Sequence, residues 1–323
     1  MRLKNSLYSI FIMMFLCIIF YSFLSYFSDS AKLFELITEF PTEIIKAFLF
    51  IITAYILRYV RWRYIFYYLG QSPSITKDLL IWFGSLAFAA TPLRTGEFFR
   101  CVWLKQKCAI KKSYSLSAIF YERITDGISL LLIVFYHLPL LLSWLNFTKF
   151  NFHFKFTPII LIILLLFKKN ILSYFNKIFY KYFKNLSRVK DSFYEQLKIL
   201  FKRKIFIISI SIGLIAWTFE GMSFFILLKG LNANLNIQDA IVSQLASGLL
   251  GALSLMPGGI GTTEASSIAI LLAQNININI ATSATLLGRL ISLWFISFIG
   301  LICFMYIYRS PDLKNNNLDT SKI

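Results

Sequence analysis

"LLIWFGSLAFAATPLRTGEFFR", residues 79–100, runs through fifteen uncharged residues before it meets an arginine, a glycine and a glutamate. A helix of that length covers only about 22 Å, short of the roughly 30 Å of hydrocarbon in a bilayer. Both flanks are basic: Arg58, Arg61, Arg63 and Lys77 precede it, and Arg100, Lys105, Lys107, Lys111 and Lys112 follow. A crossing here would export one of those clusters, against the bias that keeps Lys and Arg on the cytoplasmic side. A re-entrant hairpin resolves both difficulties: the chain enters from the cytoplasm, turns at "TPLRTG" and returns. Proline and glycine suit such a turn. Non-helical backbone at that depth is tolerated only where it is buried in protein or lines a cavity.

The rest of the chain fits this membrane setting. Of 323 residues, 58% are hydrophobic and 15% charged, against about 25% charged in a soluble domain. Apolar runs are unbroken rather than alternating, so spanning helices are expected and not a barrel. The net charge of +18 sits between the apolar runs, as topology charges do, and does not call for nucleic acid. Cys17, Cys101, Cys108 and Cys303 form no CxxC pair, and His137 and His153 are the only histidines. Neither a metal site, a disulfide framework nor a histidine triad is signalled, and no cofactor is expected.

The expected order is a retained first span over 6–28, an acidic outer loop, and a second span over about 44–64 ending on "RYVRWR". The first hairpin follows, then spans over about 115–141 and 155–168 with an outer loop between them. Residues 168–204 carry eleven basic residues against Asp191 and Glu195, with apolar positions recurring at three and four. This segment reads as an amphipathic helix on the anionic cytoplasmic leaflet. A span over 205–228, a second dip turning at "MPGGIG", and a final span over 281–308 complete a single membrane domain, 1–310. A polar tail, 311–323, follows. Both termini are expected in the cytoplasm, and the location is the inner (cytoplasmic) membrane of a cell.

The two dips repeat each other. Pro92, Gly96 and Glu97 match Pro257, Gly261 and Glu264; "SAIFYERI" matches "SATLLGRL", pairing Arg123 with Arg289; and Asp78 and Asp239 precede the dips. Three intervening crossings make the repeat inverted, with halves over about 44–141 and 205–308. The fold expected is therefore an all-α polytopic membrane protein of about six spanning helices plus two re-entrant helical hairpins. Inverted halves with broken helices are a transporter architecture.

Ionisable groups at membrane depth cost about 2.5–3.5 kcal/mol each on insertion scales, so each is a candidate. They are Arg94, Glu97, Glu122, Arg123, Asp126, Glu220, Glu264 and Arg289. Buried ion pairs that lock hairpins to spans are the bland explanation for Glu122, Arg123 and Asp126. For Arg94 and Arg289, a phosphate or carboxylate is the sharper one, because helix N-termini after Gly96 and Gly261 would add backbone N–H groups.

"RTGEFFRCVWL", "YERITD", "MPGGIGTTEA" and "RWRYIFYYLG" together resemble the motifs of the lysylphosphatidylglycerol synthase transmembrane-region family, over about residues 44–308. The resemblance implies a flippase-like membrane domain. In two-domain members a separate cytoplasmic domain builds the aminoacylated lipid. Only about fifteen residues follow the last span here, so synthesis by this chain alone is not expected.

The function expected is translocation of a phospholipid or lipid-linked headgroup between leaflets, held in a polar cavity between the two hairpins. Its site residues are Arg94, Gly96, Glu97, Arg123, Asp126, Gly258, Gly259, Gly261, Glu264 and Arg289. An intramembrane transferase using Glu97, Glu122 or Asp126 as base is the enzymatic alternative. A non-catalytic partner of a separate lipid-modifying enzyme, docked through 168–204, is the third.

Overall fold

The computed structural model describes residues 39–91, 96–144 and 187–309. The expected spans over 6–28 and 155–168, the outer loop with His153, and the turn residues Pro92 to Thr95 lie outside them. So do residues 168–186 and the tail. Every regular element among the described residues is helical: α1 (Pro41–Tyr68), α2 (Ile75–Leu86), α3 (Phe99–Cys108), α4 (Lys112–Tyr136), α5 (Leu138–Trp144), α6 (Ser187–Leu200), α7 (Arg203–Gly230), α8 (Ile237–Leu253), α9 (Thr262–Ala273), α10 (Ile278–Arg289) and α11 (Ile296–Arg309). A short 3₁₀ turn, Pro257–Gly259, separates α8 from α9, and a π-helical stretch, Leu290–Phe295, joins α10 to α11.

Among the described residues, two continuous helices are long and apolar enough to cross a membrane, Arg203–Gly230 and the run Ile278–Arg309. The pair α4 and α5 is a third candidate, bent by 57° at its break. The sequence suggests one unbroken span over 115–141. The break at His137 has a local cause: Pro139 offers no N–H and its ring crowds the carbonyl of Phe135, so the helix cannot continue straight. Helix α1 contains the span expected over 44–64 and is 28 residues long. Its charges at Glu43, Lys46, Arg58, Arg61 and Arg63 set it apart from the plainly apolar helices. Helix α2 has 12 residues, in keeping with a segment too short to cross.

The described chain forms two compact units. One takes the start of α1 to Ile52 and residues 219–294. Its core is the α8–α9 pair with the second half of α7 and with α10. Gly251 abuts Thr263 so closely that a Cβ there would overlap the threonine hydroxyl. Ser254 and Thr262 share a hydrogen bond of 2.8 Å, and Gln274 donates to Ser243 at 2.7 Å. Leu255, Gly258, Gly259 and Gly261 all have positive φ. Three of the four are glycine, as an αL turn demands, which explains the glycine-rich spelling of "MPGGIG".

The other unit takes residues 53–89, 95–218 and 295–309 of the described chain. Here α2 packs against α11 across Gly300, where a Cβ would overlap the Ala87 nitrogen. Helix α6 docks on α4 through a polar seam. Ser117 donates to Gln196 at 2.9 Å, Gln196 donates to Ser192 at 2.8 Å, and Ser113 and Ser192 lie 3.2 Å apart. Phe193, Leu197 and Leu200 of α6 are buried beside it. Helices α4 and α7 meet where Ser129 donates to the Ile210 carbonyl at 3.1 Å.

Candidate functional site

Four pieces of the second unit bring charge together: Arg61 from the middle of α1, Glu97 from the turn before α3, Arg100 from the first turn of α3, and Glu122, Arg123 and Asp126 from α4. Glu122 and Asp126, four apart, share a face of α4, as helical spacing requires. The six side chains close into a ring of alternating sign. Glu97 meets Arg100 at 3.2 Å, Arg100 meets Glu122 at 2.9 Å, and Glu122 meets Arg61 at 3.7 Å. Arg61 meets Asp126 at 2.7 Å, Asp126 meets Arg123 at 3.3 Å, and Arg123 returns to Glu97 at 3.5 Å. Arg123 also lies 3.7 Å from Glu122.

Closing the ring gives every buried charge two neighbours of opposite sign. That matters because an ion removed from water carries a desolvation penalty of several kcal/mol, which a single partner often fails to offset. Five members are almost fully buried; Arg123 alone, with 29% of its side chain exposed, reaches the surface of the unit.

Arg100 is the best-fixed member. It donates to Ser85 at 2.6 Å, Glu122 at 2.9 Å and Glu97 at 3.2 Å, and its guanidinium lies 5.0 and 5.1 Å from the rings of Trp62 and Trp82. Beside the ring, Arg58 stacks over Tyr55 and Trp217 at 5.2 and 4.7 Å. Trp217 in turn donates to the Asp126 carbonyl at 3.2 Å. Asp78 forms the neighbouring anchor, accepting from Trp62 at 3.0 Å and from Arg63 at 3.1 Å. The three residues of "RWR" therefore have separate duties: Arg61 enters the ring, while Trp62 and Arg63 hold the start of α2.

At the matching place in the first unit, Arg289 meets Glu264. Arg289 donates to Glu264 at 2.7 Å and to the Gly258 carbonyl at 2.6 Å. The second oxygen of Glu264 accepts from the Gly261 N–H at 2.7 Å. A carboxylate thus sits on the N-terminus of α9, where the helix dipole favours it. Glu97–Arg123 and Glu264–Arg289, residues that the sequence sets in matching order, are each an ion pair. The halves differ in what surrounds them. Three residues after its glutamate the first has Arg100, while the second has Ser267, which accepts from Thr285 at 3.0 Å.

Of the residues expected at the site, Glu97, Arg123 and Asp126 come together in one unit. Gly258, Gly261, Glu264 and Arg289 come together in the other, with Gly259 beside them in the turn. Gly96 is needed for space, because a Cβ there would overlap Phe88. Arg94 lies outside the described residues. The N–H of Gly261, expected to be open to a ligand, is taken by Glu264. Sequence reasoning left Arg61 and Arg100 among the flanking topology charges, although the structure makes them ring members. Among the described residues no group of His, Cys, Asp and Glu is arranged to hold a metal ion. Burial pushes the Cys101 thiol up to about 11, which leaves it protonated at neutral pH and a poor nucleophile.

The family described as the lysylphosphatidylglycerol synthase TM region matches residues 7–300 of the chain. A UPF0104 membrane protein of Methanocaldococcus jannaschii is 29% identical over 224 residues, 68% of this chain and 93% of that protein. A second one from the same organism is 27% identical over 299 residues, 86% of this chain and 89% of that protein. A UPF0104 membrane protein of Pyrococcus horikoshii is 30% identical over 86 residues, 27% of this chain and 26% of that protein. The chain belongs to the lysylphosphatidylglycerol synthase TM region family.

Proposed function

We propose that this member of the lysylphosphatidylglycerol synthase TM region family moves the polar headgroup of a phospholipid or lipid-linked compound between leaflets of the cell membrane. The observation that carries the reading is the repeated Glu–Arg pair. Each half of an apolar helical protein sets a glutamate and an arginine against each other beside the start of a short helix. Such charges at membrane depth are costly to keep and mark pathways. In this reading α2 and α8 are the entering arms of two re-entrant hairpins related as an inverted repeat, within about six spans, and both termini are cytoplasmic. Arg94, Arg123 and Arg289 take headgroup phosphate in turn. Glu97 and Glu264 contact its cationic parts, and the glycines at 96, 258, 259 and 261 let the backbone come close. The tails stay in the bilayer, and the basic segment 168–204 rests on the anionic leaflet.

An intramembrane transferase needs a carboxylate free to accept a proton. Glu97, Glu122 and Asp126 are almost fully buried and each faces at least two arginines. A non-catalytic partner of a separate lipid-modifying enzyme is the second rival, and it predicts no lipid selectivity in the pure protein.

The test is mass spectrometry of lipids that co-purify with the protein in mild detergent, beside an Arg94→Ala control. One headgroup class enriched over bulk lipid in the wild type and lost in the variant supports the reading. Bulk proportions from both would sink it.

A further inference from the structure

Away from the charge ring, the second unit gathers another set of cations at one corner. Lys77 lies in the first turn of α2, Lys105 and Lys107 in the last turn of α3, Lys111 and Lys112 at the start of α4, and Arg309 at the end of α11. Folding brings the more distant of them together. Lys107 donates to the Ile307 carbonyl at 3.4 Å, which ties the end of α3 to the end of α11. Burial lowers the pKa of Lys107 and the charge of Lys77 lowers it further, so the start of α2 stands at the same place. Lys111 and Lys112 follow Cys108, the last residue of α3, after a short turn. Lys77, Lys105, Lys111, Lys112 and Arg309 are exposed and make no ion pair among the described residues. Asp78, beside Lys77 in sequence, is buried and committed to Trp62 and Arg63.

Three features say what answers this charge. Lys77, Lys111 and Lys112 stand at helix N-termini, where the dipole disfavours a cation and attracts an anion. An anion there satisfies the lysines and the helix ends together. The second feature is the face of α11 that leads to Arg309. Phe298, Ile302, Met305 and Arg309 recur at four, three and four, so they share one side of the helix, and all are exposed. That side is an apolar strip topped by a cation, and it closes the run Ile278–Arg309 that is long and apolar enough to cross a membrane. The third is an aromatic layer just below the cations. Trp103 meets Phe304 at 5.6 Å, Phe304 stacks on Tyr308 at 6.3 Å, and Tyr306 and Tyr308 are exposed. Tryptophan and tyrosine collect at the level of lipid headgroups.

The geometry points to a docking surface for anionic phospholipid at this corner, with the headgroup among the lysines and Arg309 and the acyl chains along Phe298, Ile302 and Met305. A nucleic acid or an acidic protein would use the charge but not the apolar strip beneath it. A bound lipid of this kind holds the ends of α3 and α11 and the start of α2 against one leaflet, the cytoplasmic one by the bias of Lys and Arg. The surface requires only that the chain be a membrane protein. It does not rest on translocation, and a chain that moves no lipid keeps it.

The experiment counts the lipids that the full chain retains in detergent. The protein is equilibrated with mixed micelles holding equal amounts of dioleoyl phosphatidylglycerol and dioleoyl phosphatidylcholine, and bound lipid is read by native mass spectrometry. Lys77→Gln with Lys112→Gln removes two charges from the corner. Lys46→Gln with Lys229→Gln removes two from the first unit, near Glu43, and is the reference. The corner variant should lose about tenfold in its preference for phosphatidylglycerol, and the reference should keep it. Thermal unfolding checks each variant, and Lys105→Gln with Lys111→Gln repeats the measurement should the first pair fail to fold. A wild-type preference lost at the corner and kept in the reference supports the surface. Equal retention of the two lipids by the wild type, an undiminished preference in the corner variant, or the same fall in both variants overturns it. Fluorescence anisotropy with a labelled RNA oligonucleotide and a labelled polyglutamate peptide tests the other occupants: saturable binding of either, by a protein that does not prefer phosphatidylglycerol, also overturns the lipid surface.

Discussion

Arg100→Met tests whether the charge ring is a structural unit. Methionine fills much of the arginine's volume and keeps an apolar stem between Trp62 and Trp82, but it removes the cation. Glu97 and Glu122 then lose hydrogen bonds of 3.2 and 2.9 Å, and the Ser85 hydroxyl loses a donor at 2.6 Å. All three are buried, so water does not replace the arginine at once. Removing one partner of a buried pair costs about 3–5 kcal/mol. For a domain of 150–250 residues, about 2–4 °C of melting temperature accompanies each kcal/mol, so a fall of roughly 6–20 °C is expected. The assay is thermal unfolding in detergent by intrinsic tryptophan fluorescence, beside Lys198→Met as reference. The Lys198–Glu195 pair is also short, at 2.8 Å, but both side chains are about half exposed or more, and its loss is expected to leave the melting temperature unchanged. Glu122→Gln added to Arg100→Met should recover part of the loss by removing the stranded charge. A melting temperature for Arg100→Met equal to that of Lys198→Met would show that the ring does not hold the fold together.

Three further outcomes follow from the packing. Gly300→Leu pushes α11 off α2, because even a Cβ there overlaps the Ala87 nitrogen; the variant should yield little monodisperse protein by size-exclusion chromatography, while Gly248→Leu, where a Cβ would meet nothing within 4 Å, should behave as wild type. Arg289→Gln frees Glu264 and the Gly258 carbonyl and should loosen the turn, read as faster proteolysis or hydrogen exchange across residues 255–262. The Cys101 thiol, buried and raised to about 11, should resist alkylation at neutral pH and react only as pH rises toward that value, measured by mass spectrometry of the peptide that contains it.

The long apolar helices were legible in the sequence because their signal is composition over length, which tertiary context does not erase. Helices α7 and α10–α11 fall where the hydropathy places them. The short helix α2, Ile75–Leu86, was legible only in part: the apolar run over 79–93 is too brief to cross, but the start of the helix at Ile75 has no signal of that kind. The Glu97–Arg123 and Glu264–Arg289 pairs were foreshadowed by the repeat, since similar residues in the same order tend to meet in the same way. Arg61 and Arg100 were not, because an arginine at the end of an apolar run is also what orientation in a membrane requires. Only the placement of α1 beside α4 separates the two roles, and that is a long-range contact. The one available hint was the spacing of Glu122 and Asp126 on a single helix face, which calls for cations opposite without saying from where. The break after Tyr136 was written in Pro139, whose effect on a helix is local and known.

Translocation in proteoliposomes decides whether this protein moves lipid. The purified full chain is reconstituted with a panel of fluorescent lipids differing in headgroup, and the fraction of each reaching the opposite leaflet is followed by a membrane-impermeant quencher. One headgroup class should exchange faster than in protein-free vesicles, and Arg94→Ala and Arg123→Gln should each abolish that gain in protein that still folds. Equal, slow exchange of every lipid with and without the protein would contradict a translocating function, as would undiminished transfer by both well-folded variants.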